Sequence, residues 1–80
     1  MSPRKIVPIP YHRLVRVFEA AGFQVAREKG DHLILTKPGV KRPVVIKKSP
    51  HDVPVTHILT NLRTAGISRD RFFFLLDQVN

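Results

Sequence analysis

The chain has 80 residues, no cysteine and a formal net charge of +8 at pH 7. A domain of this length buries only a thin core, which argues against a large enclosed substrate cavity. The lack of cysteine excludes disulfides, thiolate zinc sites and a cysteine nucleophile. The sequence has neither a signal-peptide core nor an apolar run of the roughly 20 residues that a membrane span needs. We therefore expect a protein of the reducing cytoplasm.

The positive charge is concentrated in the middle of the chain. Between residues 27 and 48 there are seven basic residues and two acidic ones, so this segment contributes +5 to the formal net charge of +8. Such an excess favours a polyanionic partner, and it also opposes self-association, so we expect a monomer when the protein is alone. The alternative is a solvated surface that only keeps a small protein in solution.

The first predicted element is an amphipathic helix. Pro10 suits a first helical position, and apolar residues recur at helical spacing at Tyr11, Leu14, Val15 and Phe18. Gly22 suits the end of the helix because glycine accepts a left-handed conformation. Residues 1–9 are expected to form an extended lead-in.

Three short β-type runs follow, near Phe23 to Glu28, His32 to Lys37 and Pro43 to Lys47. The gaps between them are short enough to require hairpins, so the runs should form an antiparallel meander. In the middle strand Leu33 and Leu35 share one face, and His32, with Ile34 and Thr36, lies on the other. If helices cover the leucine face, His32 points outward.

Two further helices are predicted after a loop over residues 48–54. The first carries a stripe of Ile58, Leu59, Leu62 and Ala65 and ends at Gly66. The second begins at Ser68, a good N-cap, and presents Phe72, Leu75, Leu76 and Val79. The run 72–76 holds more large apolar residues than one helix face can bury. It either closes the core or leaves a spare phenylalanine as a partner-binding patch.

The predicted order is that of an α+β fold, α-β-β-β-α with a short additional C-terminal helix. This is the plan of the double-stranded-RNA-binding domain, with a three-stranded antiparallel sheet packed on helices. A non-enzymatic protein with this plan would recognise the shape of RNA and bind its phosphates and sugar hydroxyls.

Several motifs, in order and at matching spacing, resemble the HicA family of toxins. They are the turn Lys29-Gly30-Asp31-His32, Gly22-Phe23 after the first helix, a second helix led by Pro54 and ending Ala65-Gly66-Ile67, and the start Ser68-Arg69-Asp70-Arg71-Phe72. The likeness runs from about Tyr11 to Leu76, so residues 1–80 are expected to form a single HicA-like domain.

The resemblance implies a toxin of a type II toxin–antitoxin module that cleaves mRNA without a metal or other cofactor. It assigns the catalytic role to His32 and implies inhibition by a HicB-like antitoxin protein. An imidazole suits the proton transfers because its ordinary pKa is near neutrality. The residues expected to bind RNA are the basic side chains around the sheet and one glycine whose backbone could form an anion nest: Lys29, Gly30, Lys37, Lys41, Arg42, Lys47 and Lys48.

Two positions depart from the family pattern. Asp31 stands where the family usually has Ser or Gly, and it could orient the imidazole or repel an incoming phosphate. Lys48 stands at the end of the third strand, where many members have a histidine. This second imidazole is therefore missing, unless His51 in the adjoining loop takes its place. His12 and His57 are interpreted as surface residues, and His51-Asp52 has no further ligands at metal spacing.

Two other functions stay open at this point. The chain could be a non-catalytic RNA-binding module of the same fold, in which His32 is a solvent-facing strand residue. A weaker alternative is a DNA-contacting accessory protein.

Overall fold

A computed structural model describes residues 4–79 of the chain. The elements are α1 (Tyr11–Ala20), β1 (Gln24–Lys29), β2 (His32–Thr36), β3 (Val44–Lys47), α2 (Val55–Ala65) and α3 (Arg69–Gln78). The predicted α-β-β-β-α order with an additional C-terminal helix is therefore confirmed. The first three residues of the predicted lead-in lie outside the described residues.

The segment before α1 contributes to the core, which the prediction of a lead-in did not include. Ile6 and Ile9 are buried, and Ile9 pairs with Val53 in an isolated antiparallel bridge. Pro10 is the N-cap of α1 rather than its first residue, because its ψ of 145° is extended. Its carbonyl accepts hydrogen bonds from the first-turn amides of Arg13 and Leu14.

The sheet is an antiparallel meander in the order β1-β2-β3, as predicted. A two-residue loop, Gly30-Asp31, joins β1 to β2, and Gly30 has a φ of +59°. A glycine with positive φ at the first loop position is typical of a type II′ hairpin. The tight loop fixes the register in which β1 and β2 pair.

One face of the sheet is covered by helices and the other is open. Leu33 and Leu35 of β2 are buried, as are Val44 and Ile46 of β3. Both α1 and α2 contact β3 from this side. The side chain of His32 lies on the other face and is 47% exposed. The predicted outward orientation of His32 is therefore confirmed.

The buried stripe of α2 differs from the prediction at one position. Ile58 and Leu62 are buried, but Leu59 is 40% exposed, and Asn61 is buried in its place. The reason is helical geometry, since positions 58, 61, 62 and 65 share one face and position 59 does not.

More residues of the apolar run 72–76 in α3 are buried than we expected one helix face to bury. Phe72, Phe73, Leu75 and Leu76 are all buried, while Phe74 is 57% exposed. Phe73 is covered from a second side by the N-terminal segment, because the guanidinium of Arg4 lies 4.4 Å from its ring centre. Ser68 caps the helix as predicted, and its hydroxyl accepts a hydrogen bond from the amide of Arg71.

Two contacts of Lys48 hold one end of the sheet together. Its backbone amide donates to the carbonyl of Asp31 over 2.6 Å, beyond the last strand pair. Its ammonium lies 2.8 Å from the carboxylate of Glu28 on β1. The hydrogen bond that this ammonium donates to Glu28 raises the pKa of Lys48 above its ordinary value of 10.5. Across residues 4–79 no helix has the length and apolar character to cross a bilayer.

Replacing Phe72 by alanine should destabilise the fold far more than the same change at Phe74. Phe72 is 1% exposed and Phe74 is 57% exposed on the same helix. We expect a loss of about 3–5 kcal/mol of unfolding free energy for Phe72→Ala and under about 1 kcal/mol for Phe74→Ala. Urea denaturation followed by circular dichroism measures both. Equal losses would contradict the packing of α3 described here.

Replacing Glu28 by glutamine should lower the pKa of Lys48 towards 10.5 because it removes the carboxylate that stabilises the ammonium form. The pair contributes its stabilisation at pH values below 10.5 and loses it as the pH rises through the raised pKa of Lys48. NMR titration of the Lys48 side chain measures the shift. Glu19→Gln on α1 is the control and should leave the titration of Lys48 unchanged.

Candidate functional site

Three side chains form a row across the open face at one end of the sheet. Lys29 pairs with His32 between β1 and β2, and His32 pairs with Lys47 between β2 and β3. Directly paired residues of antiparallel strands point to the same face, with neighbouring Cβ atoms about 4.5–5.5 Å apart. The imidazole is therefore flanked by two lysine side chains, and we name Lys29, His32 and Lys47 the cationic row.

Asp31 contacts two of the three members of the cationic row. One carboxylate oxygen lies 3.0 Å from Nδ1 of His32, and the other lies 3.8 Å from Nζ of Lys47. All three side chains are about half exposed, so these contacts are screened by solvent. The carboxylate approaches Nδ1, which leaves Nε2 of His32 as the ring nitrogen available to a ligand.

A groove extends from the cationic row to the first two turns of α2. It has a volume of about 470 Å³ and lies between β3, the loop 48–54 and α2. Val45, Ile46, Val53 and Pro54 supply its apolar lining. The polar residues that line it are His32, Lys47, Ser49, His51, Asp52, His57, Thr60 and Asn61.

The structure gathers some of the predicted RNA-binding residues and separates others. Lys29 and Lys47 belong to the cationic row, and Gly30 lies in the adjoining loop. Lys48 is beside the row, but its ammonium is held by Glu28. The RNA-binding role of these residues stays a prediction.

Lys37, Lys41 and Arg42 lie at the opposite end of the sheet, about 16 Å from His32 along β2 at the usual rise of a strand. The ammonium of Lys37 donates to the carbonyl of Ala21 over 2.7 Å at the end of α1. Its stem packs so closely on Gly22 that a Cβ there would lie 3.0 Å from Lys37 Cε. The role predicted for these three residues is untested, but they are remote from the imidazole.

Two exposed histidines line the groove together with His32. The sequence indicated a surface position for His57, and it offered His51 as a replacement for the second histidine of the family pattern. His51 comes from the loop after β3, and His57 comes from the first turn of α2. Asn61 lies one turn after His57 on the same side of the helix. The signal in the sequence was a polar residue at position 61, inside the apolar spacing of 58, 62 and 65.

Within residues 4–79 no group of three or more His, Cys, Asp or Glu side chains is arranged to hold a metal ion.

Comparison with known proteins identifies the family of the chain. No curated protein matches it significantly. A family model for the HicA toxin of bacterial toxin–antitoxin modules matches residues 11–67, which include the cationic row and all of α2. The chain belongs to the HicA toxin family.

Proposed function

We propose that this HicA-family toxin is an endoribonuclease that cleaves mRNA without a metal, with His32 as its catalytic residue. The observation that carries the proposal is the cationic row, in which an exposed imidazole is flanked by Lys29 and Lys47 on the open face of the sheet. Because mRNA is the substrate, we place the activity in the cytoplasm.

The row has the groups that cleavage by the substrate's own 2′-hydroxyl requires. The hydroxyl loses a proton, its oxygen bonds to phosphorus, and the 5′-oxygen leaves with a proton, which yields a 2′,3′-cyclic phosphate. An imidazole can accept or donate a proton near neutral pH. The ammonium groups of Lys29 and Lys47 would stabilise the negative charge that develops on the phosphorane oxygens.

The position of Asp31 supports an orienting role. Its carboxylate lies on the Nδ1 side of His32 and also near Nζ of Lys47. A phosphate held by the cationic row would therefore meet Nε2, while the carboxylate stays on the far side of the ring. This favours orientation of the imidazole over repulsion of the substrate.

One histidine cannot take up the 2′-hydroxyl proton and protonate the leaving oxygen in a single concerted step. Water or a lysine of the row can supply the second transfer, and His51 is a further candidate because it lines the same groove. The family pattern has a histidine near this point, where the chain carries Lys48.

We also propose that a HicB-like antitoxin silences the toxin by covering His32. A chain with a net charge of +8 attracts an acidic surface. An antitoxin with carboxylates placed against Lys29 and Lys47 would occupy the positions that phosphates of RNA need. A non-catalytic RNA-binding module of the same fold is the alternative, and it predicts no role for the imidazole.

Replacing His32 by alanine should abolish toxicity and RNA fragmentation while the protein still folds. General acid–base catalysis contributes about 10²–10⁴-fold, so the cleavage rate should fall by that range. Induced expression with growth curves and transcript mapping measures the effect. His12→Ala, which changes an exposed histidine of α1, is the matched control and should remain toxic. Equal toxicity of wild type and His32→Ala would instead support the binding module.

Replacing Lys47 by alanine should weaken RNA binding more than replacing Lys41, because Lys47 belongs to the cationic row and Lys41 lies at the other end of the sheet. We expect the slope of log K against log salt to become shallower by about 0.7 for Lys47→Ala, the value for one contact to single-stranded RNA. Titration of 2′-O-methyl RNA at several salt concentrations measures this slope. Equal changes for both variants would show that RNA follows the whole sheet.

A further inference from the structure

Asn61 places a polar side chain at a largely buried position of α2. The residue is 9% exposed, and its side-chain amide makes no hydrogen bond to another group within residues 4–79. Among these residues the buried side-chain atom that lacks a partner is Nε of Arg13, so the amide of Asn61 reaches solvent, on the side where the residue lines the groove. An apolar residue would continue the stripe of Ile58 and Leu62. The amide is therefore free to bond a ligand that enters the groove.

The groove is where such a ligand can reach the amide. Asn61 lines it together with His32 and Lys47 of the cationic row. The volume of about 470 Å³ falls in the range of small-ligand pockets. A molecule whose phosphate is held by the cationic row thus has room to extend towards Asn61.

The lining matches the chemistry of one nucleobase. Val45, Val53 and Pro54 offer apolar surface to the faces of a ring, and His57, one turn before Asn61, offers a flat imidazole. Single-stranded RNA is recognised by bases that are splayed out, stacked on such side chains and hydrogen-bonded at their edges. The side-chain amide of asparagine has a donor and an acceptor side by side, which pairs with the adjacent donor and acceptor of a base edge.

We propose that the groove binds a single unstacked nucleobase of RNA next to the phosphate at His32, and that Asn61 reads the edge of this base. The inference rests on the proposed function for the identity of the ligand as RNA. It adds the residue that determines which base is accepted, and it assigns the stretch from β3 to α2 as the specificity element.

The test measures binding separately from cleavage. Four short 2′-O-methyl RNAs that differ in one central base are titrated against wild type, Asn61→Leu and Gln24→Leu. These RNAs lack a free 2′-hydroxyl and so cannot be cut by the proposed chemistry. Leucine fills the volume of asparagine without its amide, and Gln24→Leu removes an exposed amide at the other end of the sheet.

We expect wild type and Gln24→Leu to prefer one base over the others by about tenfold, the usual scale of a bidentate contact. Asn61→Leu should bind all four RNAs equally, with a melting temperature close to that of wild type, because the side-chain amide makes no hydrogen bond that the variant would lose. A lower melting temperature together with unchanged base preference would show that Asn61 has a structural role and would overturn the inference.

The outcome is independent of catalysis. If the wild type cleaves no RNA but its base preference disappears in Asn61→Leu, the base site stands and the nuclease proposal fails. If the wild type cleaves RNA and both proteins show the same base profile, the nuclease proposal stands and the base site is overturned.

Discussion

The structure depends on the register of the three strands, which is set at the end of the sheet where the Gly30-Asp31 loop joins β1 to β2. The two-residue loop places Lys29 opposite His32, and the amide of Lys48 fastens the carbonyl of Asp31 to the end of β3. Because side chains alternate along a strand, a slip of one residue would turn His32 into the core and bring Leu33 to the surface. The burial of alternate residues of β2 against the helices therefore also determines which side chains face a ligand.

The one-sided packing of the sheet explains where the groove forms. The helices cover the face that carries Leu35 and Ile46, and no element within residues 4–79 covers the opposite face. The groove lies at the edge of the core, where β3 and the loop after it meet α2, and its lining therefore combines apolar residues with polar ones. At this edge α2 contributes to both regions. Ile58 and Leu62 pack in the core, and Asn61 lines the groove.

The two acidic residues near the site pair with some of the basic side chains and leave others exposed. Glu28 holds the ammonium of Lys48, and Asp31 lies between His32 and Lys47. Lys29 and Lys47 are left exposed beside the imidazole. Under the proposed function, an RNA phosphate and an acidic group of an antitoxin would seek the same positions, so their binding would be mutually exclusive. Under that proposal, competition for a small cationic surface would be the physical basis on which the toxin is silenced.

The sequence by itself determined the order of the elements, the hairpin at Gly30 and the outward position of His32, because hydrophobic spacing and turn chemistry act over a few residues. It could not determine which cations accompany His32, since Lys37 and Lys47 look equivalent in the sequence but lie at opposite ends of β2. It also missed the burial of Ile6, Phe73 and Asn61. These depend on how the N-terminal segment, α3 and α2 pack on one another, and only contacts between residues distant in the chain decide that packing.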